Sequence, residues 1–233
     1  MKAIRRSTQR GFADHGWLQS RHTFSFAGYH DAAHMGFGPL RVINEDRVAP
    51  GQGFGEHGHR DMEILSWVLD GALQHKDSMG NGTVIKPGEL QRMSAGTGVR
   101  HSEFNGSREQ PVHFLQIWVI PSAEGITPGY EQRAFTDAEL KNAWRLVASG
   151  TPRDGALTIH QDVDLYIARL EAGHALAHST REDRLVWLQV ARGRVQVGGE
   201  TLDVGDAIAW SGVTGIDLRA DADAELLLFD MTR

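Results

Sequence analysis

Apolar residues along the chain fall in short runs, at 40–43, 64–69, 113–120, 165–170, 185–190, 194–197 and 225–229, some continuous and some alternating with polar residues. Gly, Asp and Asn punctuate the intervals. Runs of this length with turn residues between them predict an all-β protein, an antiparallel sandwich or barrel rather than alternating βα units. One segment breaks the pattern. Thr136-Asp137-Ala138-Glu139 is a capping box opening onto Leu140-Lys141-Asn142-Ala143-Trp144, and it follows the turn-rich stretch 121–130. This predicts a short helix in a linker between two β domains, at 1–132 and 133–233.

The two halves repeat in outline. The run at 64–69 ends at Asp70-Gly71, and Pro87-Gly88-Glu89-Leu90 opens a later strand. In the second half, 185–191 ends at Arg192-Gly193, and Val204-Gly205-Asp206-Ala207 recurs. Aligning Gly71 on Gly193 places Ser179 and Arg181 opposite His57 and His59, and aligning Gly88 on Gly205 places Leu218 and Ala220 opposite His101 and Glu103. Whatever the histidines of the first half do, the second half does without them.

Those histidines carry the chemistry. His57-Gly58-His59 follows the run Gly51-Gln52-Gly53-Phe54-Gly55, which disfavours a helix, and His101-Ser102-Glu103 follows Ala95-Gly96-Thr97-Gly98. On strands, alternate residues share a face, so each pair projects two groups in one direction. Three imidazoles and a carboxylate form a nitrogen/oxygen donor set for a divalent first-row metal: Fe, Mn, Co, Ni, Cu or Zn. Glu63, about 13 Å beyond His59 on a straight strand, is expected to be structural or to orient a ligand instead. His174 and His178, four apart in the second half, lack a nearby carboxylate pair to complete such a shell.

Composition removes several alternatives. With no cysteine there are no disulfides, thiolate ligands or cysteine nucleophile, and no Gly-x-Ser-x-Gly elbow occurs. A net charge of −6 offers no general attraction to nucleic acid or anionic lipid. No apolar run approaches the ~18–20 residues of a membrane span. Ser7-Thr8-Gln9-Arg10 stands where a signal peptide needs its apolar core, so a cytoplasmic protein is expected.

The spacing Gly51, five residues, His57-x-His59, three residues, Glu63, with Gly88, Ala95-Gly96, His101 and Asn105, resembles the cupin pattern, although Gly71 comes one residue later than usual. The chain is similar in particular to the pirin family of two-cupin proteins. The likeness is carried by 22–26, 40–46, His57-Gly58-His59-Arg60-Asp61-Met62-Glu63, 91–98, His101-Ser102-Glu103, Gln116-Ile117-Trp118 and Pro128-Gly129-Tyr130, and more loosely by 202–206 and 225–230. The resemblance implies two cupin barrels. It implies a single metal, most often iron as Fe(II), held in the first barrel by His57, His59, His101 and Glu103. Bacterial members are similar to quercetin 2,3-dioxygenases, which implies a small aromatic substrate and O2; on chemical grounds Glu103 is expected also to take the proton of the flavonol 3-hydroxyl. Phe54, Met62, Phe104 and Phe114 are candidate walls of the cavity. Two rival readings share the same metal shell: a non-enzymatic, redox-sensing protein that binds a protein partner, and a different cupin metalloenzyme acting on an oxygen-rich metabolite. A monomer is expected, with each barrel covering apolar surface of the other.

Overall fold

Twenty strands, one α-helical turn and one 3-10 turn make up the computed structural model, which describes residues 1–151 and 153–233. No described helix is long and apolar enough to cross a membrane. The all-β expectation holds. The chain divides into two units: Gly11–Ala134 with Ile159–Gln161, and Met1–Arg10, Phe135–Thr158 and Asp162–Arg233 together. The opening residues join the second unit because strand Lys2–Arg5 pairs antiparallel with Ala207–Ser211, Lys2 opposite Trp210. A division at residue 132 overlooks this pairing, since nothing local at 2–5 announces a partner so distant in sequence.

The first unit has two sheets rather than one closed barrel. A seven-stranded sheet runs in the order Gly129–Ala134, Glu89–Ser94, Glu63–Asp70, Val112–Val119, Leu40–Val48, Leu18–His22, Gly11–Asp14. A four-stranded sheet runs Gly53–His59, Val99–Asn105, Leu73–Asp77, Gly82–Ile85. Phe114, fully buried, packs with Leu18, Val48, Val68, Leu73, Ile85 and Val112, which come from both sheets. Gly80-Asn81-Gly82 forms the expected hairpin turn between Leu73–Asp77 and Gly82–Ile85.

In the second unit nine strands form one sheet, bent by its two longest members, Leu185–Val197 and Gly215–Met231. The runs at 185–190 and 194–197 are therefore a single strand. Gly71, at φ +80°, does end its strand before a turn, whereas Gly193, at φ +78°, sits in a bulge where the pairing with Gly215–Met231 shifts register. The Asp223 carbonyl approaches Gly193 so closely that a Cβ has no room, so glycine here permits a bend without ending the strand. Leu188, Val190, Ile208, Trp210, Leu226 and Leu228 centre the core.

The linking helix is one turn, Asp137–Leu140. Thr136 caps it as expected, its hydroxyl accepting from Glu139 N while Glu139 reaches back to Thr136 N. It does not continue toward Trp144 because Asn142 turns to φ +52°, its side chain bonding Glu171 Oε2 at 2.8 Å and Glu171 N at 2.9 Å.

Candidate metal centre

Parity on three adjacent strands of the four-stranded sheet builds this site. Strand Gly53–His59 turns His57 and His59 inward, with exposed Gly58 between them. Strand Val99–Asn105 buries Val99, His101, Glu103 and Asn105 and turns Arg100 and Phe104 out. Strand Leu73–Asp77 buries Leu73, His75 and Asp77. Register does the rest: His101 pairs with His57 on one side and with Asp77 on the other, and Glu103 pairs with His75. Neighbouring strands lie ~4.8 Å apart, so residues far apart in sequence become side-chain neighbours.

Ring nitrogens of His57, His59 and His101 all lie within 4.8 Å of one another. Glu103 falls in an overlapping group with His101 and His75. Its Oε2 accepts from Gln116 Nε2 at 2.8 Å, and Ser66 Oγ is 3.4 Å from Oε1. Glu63 sits elsewhere. The chain turns at Asp61, φ +48°, and Glu63 accepts from Ser94 Oγ at 3.0 Å and faces His160 Nδ1 at 3.2 Å, buried and apart from the imidazoles.

The hydrogen bonds behind the imidazoles set which nitrogens are free. His57 Nδ1 donates to Gly55 O at 2.8 Å, leaving Nε2 as a lone pair. Asp77 is an acceptor: burial pushes its carboxyl up, but the His75 and Asn81 hydrogen bonds prevail and hold it below the usual value. His75 Nε2 then donates to Asp77 Oδ2, 3.0 Å away, and in the neutral ring Nδ1 is left as the acceptor. Gln91 Nε2 and His101 Nδ1 both stand 3.4 Å from that atom. With its proton on Nδ1, directed at that atom, His101 presents a bare Nε2 3.1 Å from His57 Nε2. Burial, then the neighbouring His57 and His75, drives His101 down to about 3; burial, then His101 and His57, drives His59 down to about 4. Near neutral pH both rings are uncharged, as ligands must be.

This arrangement fits a cation. In that tautomer two lone pairs face each other at 3.1 Å and repel unless a positive charge lies between them. Two nitrogens ~2.1 Å from one ion and at right angles to each other are ~3.0 Å apart. The donor set of imidazole with carboxylate suits a divalent transition metal.

Beside the triad opens a cavity of about 660 Å³ between the two sheets of the first unit. His57, His59 and Glu103 stand at its edge, with Gln116, Asn44, His22, Ser20 and Asp46 also along it. Its apolar walls are Phe12, Leu18, Phe26, Tyr29, Phe54 and Trp118. Of the four wall residues expected, only Phe54 is there. Phe104 lies on the outward parity of its strand and is 38% exposed, Phe114 is closed into the core, and Met62 packs against Ile64, Met93 and Val99.

Sequence reasoning singled out the three imidazoles and Glu103 but passed over His75 and Asp77, although His75-Lys76-Asp77 has the same alternate spacing beside a turn. Among the described residues, both candidate ligand groups lie in the first unit. In the second, His178 Nε2 is engaged by Asp230 Oδ2 at 2.9 Å, and Arg184 shares that carboxylate.

A family model described as "Pirin" matches residues 3–119, and one described as "Quercetinase C-terminal cupin domain" matches residues 146–231. A protein of Escherichia coli (strain K12) named "Quercetin 2,3-dioxygenase" is 48% identical over 228 residues, covering 98% of this chain and 97% of its own length. The crystal structure of YhhW from Escherichia coli superposes with a TM-score of 0.96 at 48% identity, covering 99% of this chain and 97% of that one. A second structure, of bacterial pirin YhhW in complex with nickel(II), gives 0.95 at 47% identity and covers 100% and 99% of the two chains.

Proposed function

The chain belongs to the pirin family, and from that membership we propose that it is a metal-dependent dioxygenase that oxidatively opens the central ring of a flavonol such as quercetin, releasing carbon monoxide. The observation that carries this reading is an imidazole triad whose ring nitrogens converge within 4.8 Å at the edge of a cavity walled by aromatic side chains. Support comes also from the relatives named quercetin 2,3-dioxygenase, which match over nearly the whole chain.

In this reading His57, His59 and His101 hold one divalent metal through ring nitrogens and Glu103 through its carboxylate. Fe(II) is the proposed ion, and Mn, Co, Ni, Cu and Zn suit the same donors. When bound, the metal supplies Lewis acidity toward the adjacent hydroxyl and carbonyl oxygens of a flavonol and a route for electrons to O2.

The chain's own residues do the rest. Glu103 takes the 3-hydroxyl proton on Oε1, since Gln116 engages Oε2 more closely than Ser66 engages Oε1. The bond from Gln116 fixes the direction in which the carboxylate faces. Trp118 meets the His59 ring edge-on at 4.9 Å and the Phe26 ring at 5.3 Å, giving one stiff wall, and Phe54 packs edge-on against Trp17 at 5.4 Å. These faces take up the flat rings and keep water from the reacting edge. A cavity of about 660 Å³ lies within the ~300–1,000 Å³ usual for such ligands.

The test follows loss of the quercetin absorbance band by Fe(II)-loaded protein in air and under argon, with carbon monoxide measured in the headspace. Consumption in air alone is expected. No consumption in air overturns the reading. His57→Ala and Glu103→Ala are expected to lose metal and turnover together, and full turnover without metal would overturn the site.

A further inference from the structure

Inner faces of β-sheets are normally apolar, yet polar side chains cross this one in register. In the seven-stranded sheet Ser66 pairs with Gln116, Gln116 with Asn44 and Asn44 with His22, a row four strands wide and about 14 Å long. Two residues along, Asp46 pairs with Ser20. Glu103 meets this row at one end, through Ser66 and Gln116. From the other end His22 Nδ1, 3.0 Å from Asn44 Oδ1 and 3.4 Å from Ser20 Oγ, continues it to Asp46. All but Ser66 line the cavity, with apolar walls around them.

Asp46 is the anomaly in this stripe. It is only 3% exposed, and Ser20 donates to its Oδ1. Its Oδ2 has no side-chain or backbone donor among the described residues. Burial pushes the carboxyl up to about 7 despite the Ser20 bond, and the charge of Glu103 adds to this. A carboxyl kept in an interior at such a cost, with one oxygen unmatched beside a cavity, calls for a donor from the cavity.

Resting on the flavonol reading, we infer that Asp46, steadied by Ser20, accepts a hydrogen bond from a ring hydroxyl of the substrate, so that the substrate class is a flat aromatic with hydroxyls remote from its reacting hydroxyl–carbonyl edge. The stripe leads from Glu103, at the reacting edge, to Asp46, so one planar molecule spans both. A ligand without the remote hydroxyl leaves the buried carboxyl unmatched, which is how such sites discriminate.

Quercetin and 3-hydroxyflavone share the reacting edge and differ in ring hydroxyls. Their dissociation constants are measured on metal-loaded protein without oxygen, by quenching of tryptophan fluorescence, so that binding is judged independently of turnover. Quercetin is expected to bind at least tenfold more tightly than 3-hydroxyflavone. Asp46→Leu is expected to reduce that advantage to within about threefold. Asp46→Asn keeps the shape and an acceptor for Ser20, so it guards against misfolding, and it is expected to cut the advantage at least threefold. An equal affinity of the native protein for both flavonols overturns the inference, as does an undiminished advantage in Asp46→Asn. If Asp46 fails in this way while quercetin is still consumed in air, the flavonol reading stands without it. Tight quercetin binding through Asp46 without consumption removes the dioxygenase reading and leaves the recognition. Binding of neither compound overturns both.

Discussion

Exchanging Asp77 for asparagine replaces one acceptor oxygen with an amide donor and alters little else in shape. Asp77 Oδ1 accepts from Met79 N at 2.9 Å and Asn81 N at 3.0 Å, while Oδ2 accepts from His75 Nε2 at 3.0 Å and Asn81 Nδ2 at 2.8 Å. The asparagine must keep its oxygen toward the two backbone N–H groups, because the flipped amide opposes both. Its NH2 then faces His75 Nε2, which has to become an acceptor. The His75 proton moves to Nδ1, His101 Nδ1 loses its own, and the His101 proton arrives on Nε2, the atom 3.1 Å from His57 Nε2. A metal can be bound only by restoring the original tautomers, which sets two donors against each other in a fully buried place. That costs about 1–3 kcal/mol, or roughly 5- to 150-fold in affinity, consistent with the ~10–100-fold typical of residues behind a ligand. The assay is a competition titration with a chromophoric chelator and Ni(II), comparing native protein with Asp77→Asn. A urea titration of the metal-free proteins checks folding, and imidazole 15N shifts read the tautomers. Affinity within twofold of native, or His101 still protonated at Nδ1 in the variant, would refute the reasoning.

Other consequences are equally direct. Phe54→Ala should raise the KM for quercetin several-fold and Phe104→Ala should leave it unchanged, since one ring lines the cavity and the other faces outward; steady-state kinetics checks this. Phe114→Ala should cost about 3–5 kcal/mol in urea unfolding, because a fully buried ring leaves a cavity among Leu18, Val48, Val68, Leu73, Ile85 and Val112. In the metal-free protein His59 stays neutral down to about 4 and His101 down to about 3, whereas the unfolded chain takes up these protons near 6.5. Stability should therefore be present above about pH 6.5 and be lost as pH falls toward 4, visible as a declining urea midpoint that His59→Asn makes shallower. Asp46 works in the opposite sense, its contribution present below about 4 and lost as pH rises through 7, and comparing His59→Asn with native protein cancels that slope.

The paired positions were legible because a strand's two-residue period is local: His57-x-His59 and His101-x-Glu103 announce a shared face from three letters of sequence, and each pair does face inward. The Asp77–His75 arm obeys the same period but gains its meaning only from pairing with Val99–Asn105, and such register is a property of two distant segments. Asp46 and Ser20 were invisible for the same reason, their neighbourhood arising across the Leu18–His22 and Leu40–Val48 pair. Phe104 and Phe114 misled because parity sends Phe104 out and packing closes Phe114 in, neither of which a single run of sequence reveals. At Gly193 composition alone could not separate a turn from a bulge, since both need the same positive φ.

The pairing of residues 2–5 with Ala207–Ser211 has a bearing on synthesis. A ribosome adding about 5–20 residues per second needs roughly 10–40 s to reach Trp210 after Lys2 has emerged. For that interval Lys2–Arg5 is a strand without a sheet, and before the interval ends Gly11–Ala134 is complete in sequence and free to condense. Residues made before the first unit are thus fastened only after it, and a bulky insertion just ahead of Lys2 should disturb the late-made unit rather than the one that carries the imidazoles.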